Sequence, residues 1–176
     1  MANTKVITGE VRCSYVHLFE PHAINPGDDA KYSVMLMIPK EDKATLEALR
    51  AAEAAAAEVG KTTKFGGKIP SNLASIIRDG DESAEDYPER AGNWIMSVSS
   101  TRKPGIVDSS VQPIMDQSEV YSGMYARASL NAFPYTYGPK KGISFGLSHV
   151  MKTRDGEPLG GISRAEDDFA EFADLV

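Results

Sequence analysis

Cysteine is nearly missing from this chain: Cys13 stands alone among 176 residues. A single cysteine excludes an internal disulfide. Its apolar neighbours predict a buried, inert thiol. Histidine is scarce as well, and His17, His22 and His149 lack metal-ligand spacing with a second His or Cys. No metal and no other cofactor is expected. No apolar run approaches the ~18 residues that a membrane span needs. Met1-Ala2-Asn3-Thr4 leads straight into strand-like residues instead of a leader. A cytoplasmic protein without a membrane partner is expected. Catalytic motifs are missing too. Gly66-Gly67-Lys68 lacks the first Gly and the following Ser or Thr of a phosphate loop. Asp79-Gly80-Asp81-Glu82 misplaces the glycine that a calcium loop requires. With no nucleophile elbow or acid–base pair in view, the chain is not expected to be an enzyme.

Positive charge is also in deficit. Nineteen Lys and Arg stand against 25 Asp and Glu, giving −6. At first sight this argues against a nucleic-acid partner. The distribution reverses the argument. Residues 79–89 hold six acids (Asp79, Asp81, Glu82, Glu85, Asp86 and Glu89) and no base. Residues 165–176 hold five more: Glu166, Asp167, Asp168, Glu171 and Asp174. Setting those eleven aside leaves 14 acids against 19 bases, a balance of +5. The last block also places Phe169 and Phe172 among its acids. So little apolar area cannot offset the entropy of ordering the segment. It should stay extended and solvated, offering charge and rings to a partner. The chain therefore reads as one domain, 1–164, with an acidic, disordered tail, 165–176.

The pattern is mainly β. Residues 6–17 read as a long first strand, with Val11, Cys13 and Tyr15 alternating against Glu10, Arg12 and Ser14. A Pro-Gly loop follows over 22–30. Residues 32–38 form a second strand that is apolar on both faces, which predicts cover on both sides. A helix is expected over 41–59, with acids in its first turn, an end at Gly60, and Ala44, Leu46 and Leu49 against the core. A short second helix is expected over 71–78. Further extended segments cover 94–99, 106–115, 124–133 and 142–152, and residues 134–141 join the last two as a hairpin loop. Trp94 alternates with Met96 and Val98 and should be half-buried. Several short strands with one inserted helix suggest a small OB-fold-like barrel.

The strand over 124–133 carries the most chemistry. Met124, Ala126, Ala128, Leu130 and Ala132 face one way, toward the core. Tyr125, Arg127, Ser129, Asn131 and Phe133 face the other. Rings and a guanidinium on an open face suit single-stranded nucleic acid, whose bases stack while its phosphates meet cations. Tyr135, Tyr137, Lys140 and Lys141 extend that face, and Arg102 and Lys103 form a second basic loop. Arg12 could flank the groove or be plain surface. The rings could equally lie against the helix or a second copy, so a homodimer is left open. The rival function is an acidic interaction protein, a DNA mimic or virion component, that uses the aromatic strand as a protein interface.

One family resembles this pattern. The runs Tyr121-Ser122-Gly123-Met124-Tyr125-Ala126-Arg127, Phe133-Pro134-Tyr135 and Lys141-Gly142-Ile143-Ser144-Phe145-Gly146-Leu147 are similar to those of phage-type single-stranded-DNA-binding proteins, within them to a family long described as a domain of unknown function. Val150, Arg78-Asp79-Gly80-Asp81 and Ile106-Val107-Asp108 extend the likeness, which runs from about Gly9 to the tail. The resemblance implies an OB-fold that coats single-stranded DNA (ssDNA) during phage replication and recombination, in the cytoplasm of an infected bacterium. It implies an acidic tail that contacts a polymerase or another replication protein. The segment ends in Asp174-Leu175-Val176 without a terminal aromatic, so Phe169 and Phe172 are the rings a partner could read.

Overall fold

The computed structural model describes residues 3–23 and 25–159, together with Phe169 and Phe172. The expected tail residues Glu166, Asp167, Asp168, Glu171 and Asp174 lie outside the described residues. Phe169 and Phe172 are both exposed, with ring centroids 6.5 Å apart.

The described elements are β1 (Lys5–Ile7), β2 (Val11–His22), β3 (Lys31–Pro39), α1 (Lys43–Thr63), β4 (Ala74–Ser75) and β5 (Arg78–Asp79), followed by β6 (Asn93–Ser100), β7 (Gly105–Val107), β8 (Tyr125–Tyr137) and β9 (Lys140–Arg154). The pairings form a circuit. β2 pairs β3, β3 pairs β6, β8 pairs β9 and β8 returns to β2, all antiparallel. The circuit closes through one parallel bridge, Ser99↔Gly146, between β6 and β9. This is a five-stranded, partly open barrel of the OB kind. β1 continues the line of β2 along β8, so the expected single first strand is broken at Thr8, Gly9 and Glu10.

Alternation fills the interior. Val34, Leu36 and Ile38 of β3, Met96 and Val98 of β6, and Phe145 and Leu147 of β9 join one core. Met124, Ala126, Ala128, Leu130 and Ala132 join it from the β8 side, as their period predicts. Full burial of a side chain the size of Leu130 stabilises the fold by about 1.5–3 kcal/mol. Cys13 belongs to the same core, where burial pushes its thiol up to about 12. The second face of β3 is covered too: Met35, Met37 and Ile95 form a separate cluster with Leu159 packed on it.

The helix runs past its expected end. Asp42 caps it by accepting from the Thr45 amide at 3.1 Å, so the first turn itself holds no acid. Its buried stripe is Thr45, Leu49, Ala52, Ala56, Ala57 and Gly60, while Ala44 is exposed. The alanines are the contact surface, because only small side chains let the helix lie close to β8. Gly60 is part of that approach rather than a stop: a Cβ there would stand 2.6 Å from the Phe65 ring and 2.7 Å from Pro134.

The expected short helix over 71–78 is not formed. Ala74–Ser75 pairs β9, and Arg78–Asp79 pairs β6. Ser75 directs the turn between them, its hydroxyl accepting from the Ile77 amide at 3.1 Å and donating to Glu53 of α1 at 2.6 Å. The extended path buries Ile77, and helix propensity over so few residues cannot compete with that burial. The bent segment expected over 106–115 is strand only at Gly105–Val107, with a bridge from Val107 to Pro113. The hairpin loop expected over 134–141 shortens to Gly138-Pro139, since Tyr137 already pairs Lys140. Gly138 has φ 59°, and proline fixes φ near −65°. That combination suits a two-residue type II′ turn.

The acidic block is partly structural. Lys40 donates to Asp79 at 2.6 Å and to Asp81 at 2.7 Å. These bonds hold both carboxyls below the usual range and raise the lysine. The Lys40 ammonium also lies 4.7 Å from the centre of the half-buried Trp94 ring. Asp79 and Asp81 thus fasten the 80–93 segment over β6.

Candidate nucleic-acid interface

An OB-type barrel offers oligonucleotides the outer face of its second and third strands, flanked by the 1–2 and 4–5 loops. Here that face belongs to β3 and β6. On that face Ser33 pairs Ser99 and Met35 pairs Ser97, with Met37 and Ile95 further along. The row continues through Ser99↔Gly146 to Gly146↔Asn131 on β8, and through Ser33↔His17 on β2. The result is a shallow floor across four strands, built on Ser33, Ser97, Ser99 and Gly146 with Met35, Asn131 and His17 beside them. A hollow of about 410 Å³ opens on it, lined by Tyr15, His17, His22, Ser33, Met35, Ser97 and Ser99 with the backs of Val34 and Val98.

The β8–β9 hairpin borders the floor on the other side. The Phe133 ring lies 3.8 Å from where a Cβ on Gly146 would stand, so it flanks the floor where β6 meets β9. It is 42% exposed, and Tyr137 near the tip is 81% exposed. Tyr135 is half-buried over Gly142. Lys140 is exposed opposite Tyr137, with Lys141 half-buried beside it. Arg102 and Lys103 follow β6, both exposed, with the Lys103 ammonium 4.4 Å from the Phe19 ring of β2. Rings and cations therefore stand around the floor.

Tyr125 and Arg127 are placed elsewhere. Eight residues along β8 separate Tyr125 from Phe133, about 26 Å. Two cations already meet the Tyr125 ring: the Arg154 guanidinium stands 3.7 Å from its centre and that of Arg12 5.7 Å. Arg12 also donates to the carbonyls of Gly123 at 3.2 Å and Glu157 at 2.7 Å. Arg154 donates to Glu10 at 3.1 Å. Thr153 also donates to Glu10, at 2.7 Å; that bond first, and Arg154 after it, holds the carboxyl below its ordinary value. Gly123, at φ 112°, abuts the Glu157 carbonyl so closely that no Cβ would fit. Tyr121 completes the clamp by donating to Asp155 at 2.9 Å. Tyr125 thus sits in the fastening that holds residues 155–159 to the barrel and leads Leu159 onto Met35, Met37 and Ile95. Arg127 is exposed beside an apolar hollow of about 230 Å³ that also includes Ile7, His149 and Met151.

The sequence pattern does not pick out Tyr15, His17 and His22. Ser14 pairs Met35 and His17 pairs Ser33, so three steps on β2 face two on β3. This bulge puts Tyr15 at φ 48° and leaves it 50% exposed. Left-handed backbone costs a residue with a Cβ about 1–2 kcal/mol. The His17 and His22 rings stack at 4.1 Å with an interplanar angle of 7°. Burial first, and the charge of His22 second, lower the basicity of His17. Among the described residues, no group of three His, Cys, Asp or Glu stands close enough to hold a metal. No helix among them is long and apolar enough to cross a membrane.

Known proteins share this architecture. The single-stranded DNA-binding protein from bacteriophage Enc34, solved in complex with ssDNA, is 26% identical and superposes with a TM-score of 0.74, over 89% of this chain and 90% of that one. The gp2.5 single-stranded DNA-binding protein of bacteriophage T7, at 15% identity, shares the fold with a TM-score of 0.61, over 93% of this chain and 99% of its own. A putative protein, p50, of Acyrthosiphon pisum secondary endosymbiont phage 1 is 29% identical over 97% of this chain and 94% of its own length. The family model described as the Enterobacter phage Enc34 ssDNA-binding protein matches residues 4–175, and with the barrel, floor and hairpin in place the chain belongs to that family.

Proposed function

We propose that this protein binds ssDNA with little sequence preference along the β3–β6 floor, between β2 and the β8–β9 hairpin. The observation that carries the reading is the juxtaposition of a Ser33–Ser99–Gly146 floor with the exposed Phe133 and Tyr137 rings and Lys140. Bases stack on the rings while Lys140, Lys141, Arg102 and Lys103 meet phosphates. Every base has a stacking face, so this chemistry tolerates sequence. Tyr125 acts mainly through the fastening of residues 155–159, and Arg127 stands apart from the floor. Nothing in this reading requires catalysis.

The wider role follows from the same chemistry. Coating of ssDNA serves phage DNA replication and recombination in the host cytoplasm. The acids of residues 165–176, with Phe169 and Phe172, recruit a replication protein such as a polymerase. Fluorescence anisotropy with labelled oligo(dT) and a duplex of equal length tests the binding step. Tighter binding to oligo(dT) is expected, weakening with salt at a slope near −0.7 per phosphate neutralised. Equal or better binding to duplex would leave the aromatic face as a protein interface.

A further inference from the structure

We propose that the bulge in β2 presents Tyr15, beside the stacked His17 and His22 rings, as a second aromatic wall that stacks an unpaired base over Ser33, Ser97 and Ser99. The proposal rests on the ssDNA reading above and assigns to this side of the floor a role that the hairpin rings do not fill.

Three separate observations meet at this place. The first is backbone. Tyr15 holds a φ of 48° in the middle of a strand, where glycine or asparagine would sit at lower cost. Such outliers persist where the surroundings impose them, and bulges re-aim side chains next to functional sites. The second is exposure. Half of the Tyr15 surface is open, so the strained conformation does not serve core packing. The third is company. The His17–His22 stack and Tyr15 line one hollow of about 410 Å³, together with Ser33, Ser97 and Ser99 and the side chain of Met35. A nucleobase is a flat aromatic plate with polar edges. It matches a site with ring walls and a serine floor, the rings taking the face and the hydroxyls of Ser33, Ser97 and Ser99 reaching the edge.

The charges nearby set the direction of the backbone. Asp28 and Asp29 line the adjoining hollow with His22 and Lys31. Phosphates are repelled there and drawn toward Lys103 and Arg102, beyond the end of β6. The base thus enters the hollow while its phosphate stays outside.

The test uses substitutions that suit the left-handed backbone. Tyr15→Gly and Tyr15→Asn remove the ring without adding strain, and Tyr15→Phe keeps it. Oligo(dT) affinity is measured by anisotropy for the full chain and each variant, with thermal unfolding by circular dichroism beside it. Tyr15→Gly and Tyr15→Asn are expected to bind about 10- to 100-fold more weakly, the loss of one stacked base. Tyr15→Phe should stay within about threefold of the parent. The unfolding midpoint of Tyr15→Gly should be equal or higher, because the strain is relieved. Weaker binding without lost stability separates a base contact from a structural role. If the parent binds oligo(dT) and both Tyr15→Gly and Tyr15→Asn bind equally well, the second wall is overturned while the ssDNA reading stands. If the parent itself fails to bind, that reading fails first.

Discussion

The two ends of β8 carry the same alternating pattern and have opposite fates. At one end Tyr125 is engaged by Arg12 and Arg154 and packs against Gly156 of the segment that leads to Leu159. At the other end Phe133 and Tyr137 project beside the floor of Ser33, Ser99 and Gly146. Period tells which face a ring occupies. What that ring can do depends on which neighbours have already taken its surface. At the Tyr125 end the barrel fastens its own chain, and at the hairpin end the rings remain open to another molecule.

Four experiments can break or sharpen that contrast. The largest effect is expected at the hairpin. Phe133→Ala with Tyr137→Ala should weaken ssDNA binding by about 1–3 kcal/mol per stacked base. Circular dichroism should show the fold retained, since both side chains are exposed. Normal affinity in a folded double variant would remove the hairpin from the interface. Next comes the fastened end. Tyr125→Ala loses two cation–π contacts worth about 0.5–1 kcal/mol each. Its unfolding midpoint should fall while its intrinsic affinity for oligo(dT) changes little. A drop in affinity as large as that of the hairpin variant would make the two ends equivalent after all.

The third experiment joins the ends. If the proposed DNA-binding floor is right, the five carboxylates of residues 165–176 should compete with phosphates at high effective concentration. Deleting residues 165–176 should tighten ssDNA binding, most of all at low salt where screening is weakest. An oligo(dT) titration across a salt series checks this, and unchanged binding at every salt would mean that the acids do not mask the floor. The smallest effect is acidic. The bond from Thr153, then that from Arg154, holds Glu10 below its ordinary value of 4.5. The stability it gives is complete above 4.5 and is lost as pH falls through the depressed folded value. Glu10→Gln should therefore flatten the acid limb of the unfolding midpoint slightly. An unchanged limb would mean that the Arg154 end is not held by this carboxylate.

Much of the fold is legible in the sequence. The β8 alternation alone places Met124, Ala126, Ala128, Leu130 and Ala132 in the core. Two apolar faces on β3 correctly call for cover on both sides, although only the fold shows that Leu159 supplies the second. Where expectation departs, the deciding contact is distant in sequence. The alanines of α1 offer little area by themselves, yet they permit close approach to β8. Ile77 turns a short helical segment into two bridging strands by being buried. The candidate site is legible in its hairpin half, because Phe133, Tyr137 and Lys140 occupy one continuous run. The clamp on Tyr125 depends on β2 and β9 arriving together. The Tyr15 bulge leaves no mark in composition, since a strand with one extra residue keeps the same residue types.

The single bridge between Ser99 and Gly146 has a mechanical consequence. A ring of strands that is laced along four seams and hooked once at the fifth is a bracelet with a clasp. Forces that widen such a bracelet concentrate at the clasp, and the other seams need not melt. The amides that point across the β6–β9 gap beside Ser99 and Gly146 should therefore exchange with deuterium ahead of the amides that bond β3 to β6. The clasp lies in the floor itself, so the molecule can spread its floor at the cost of one pairing.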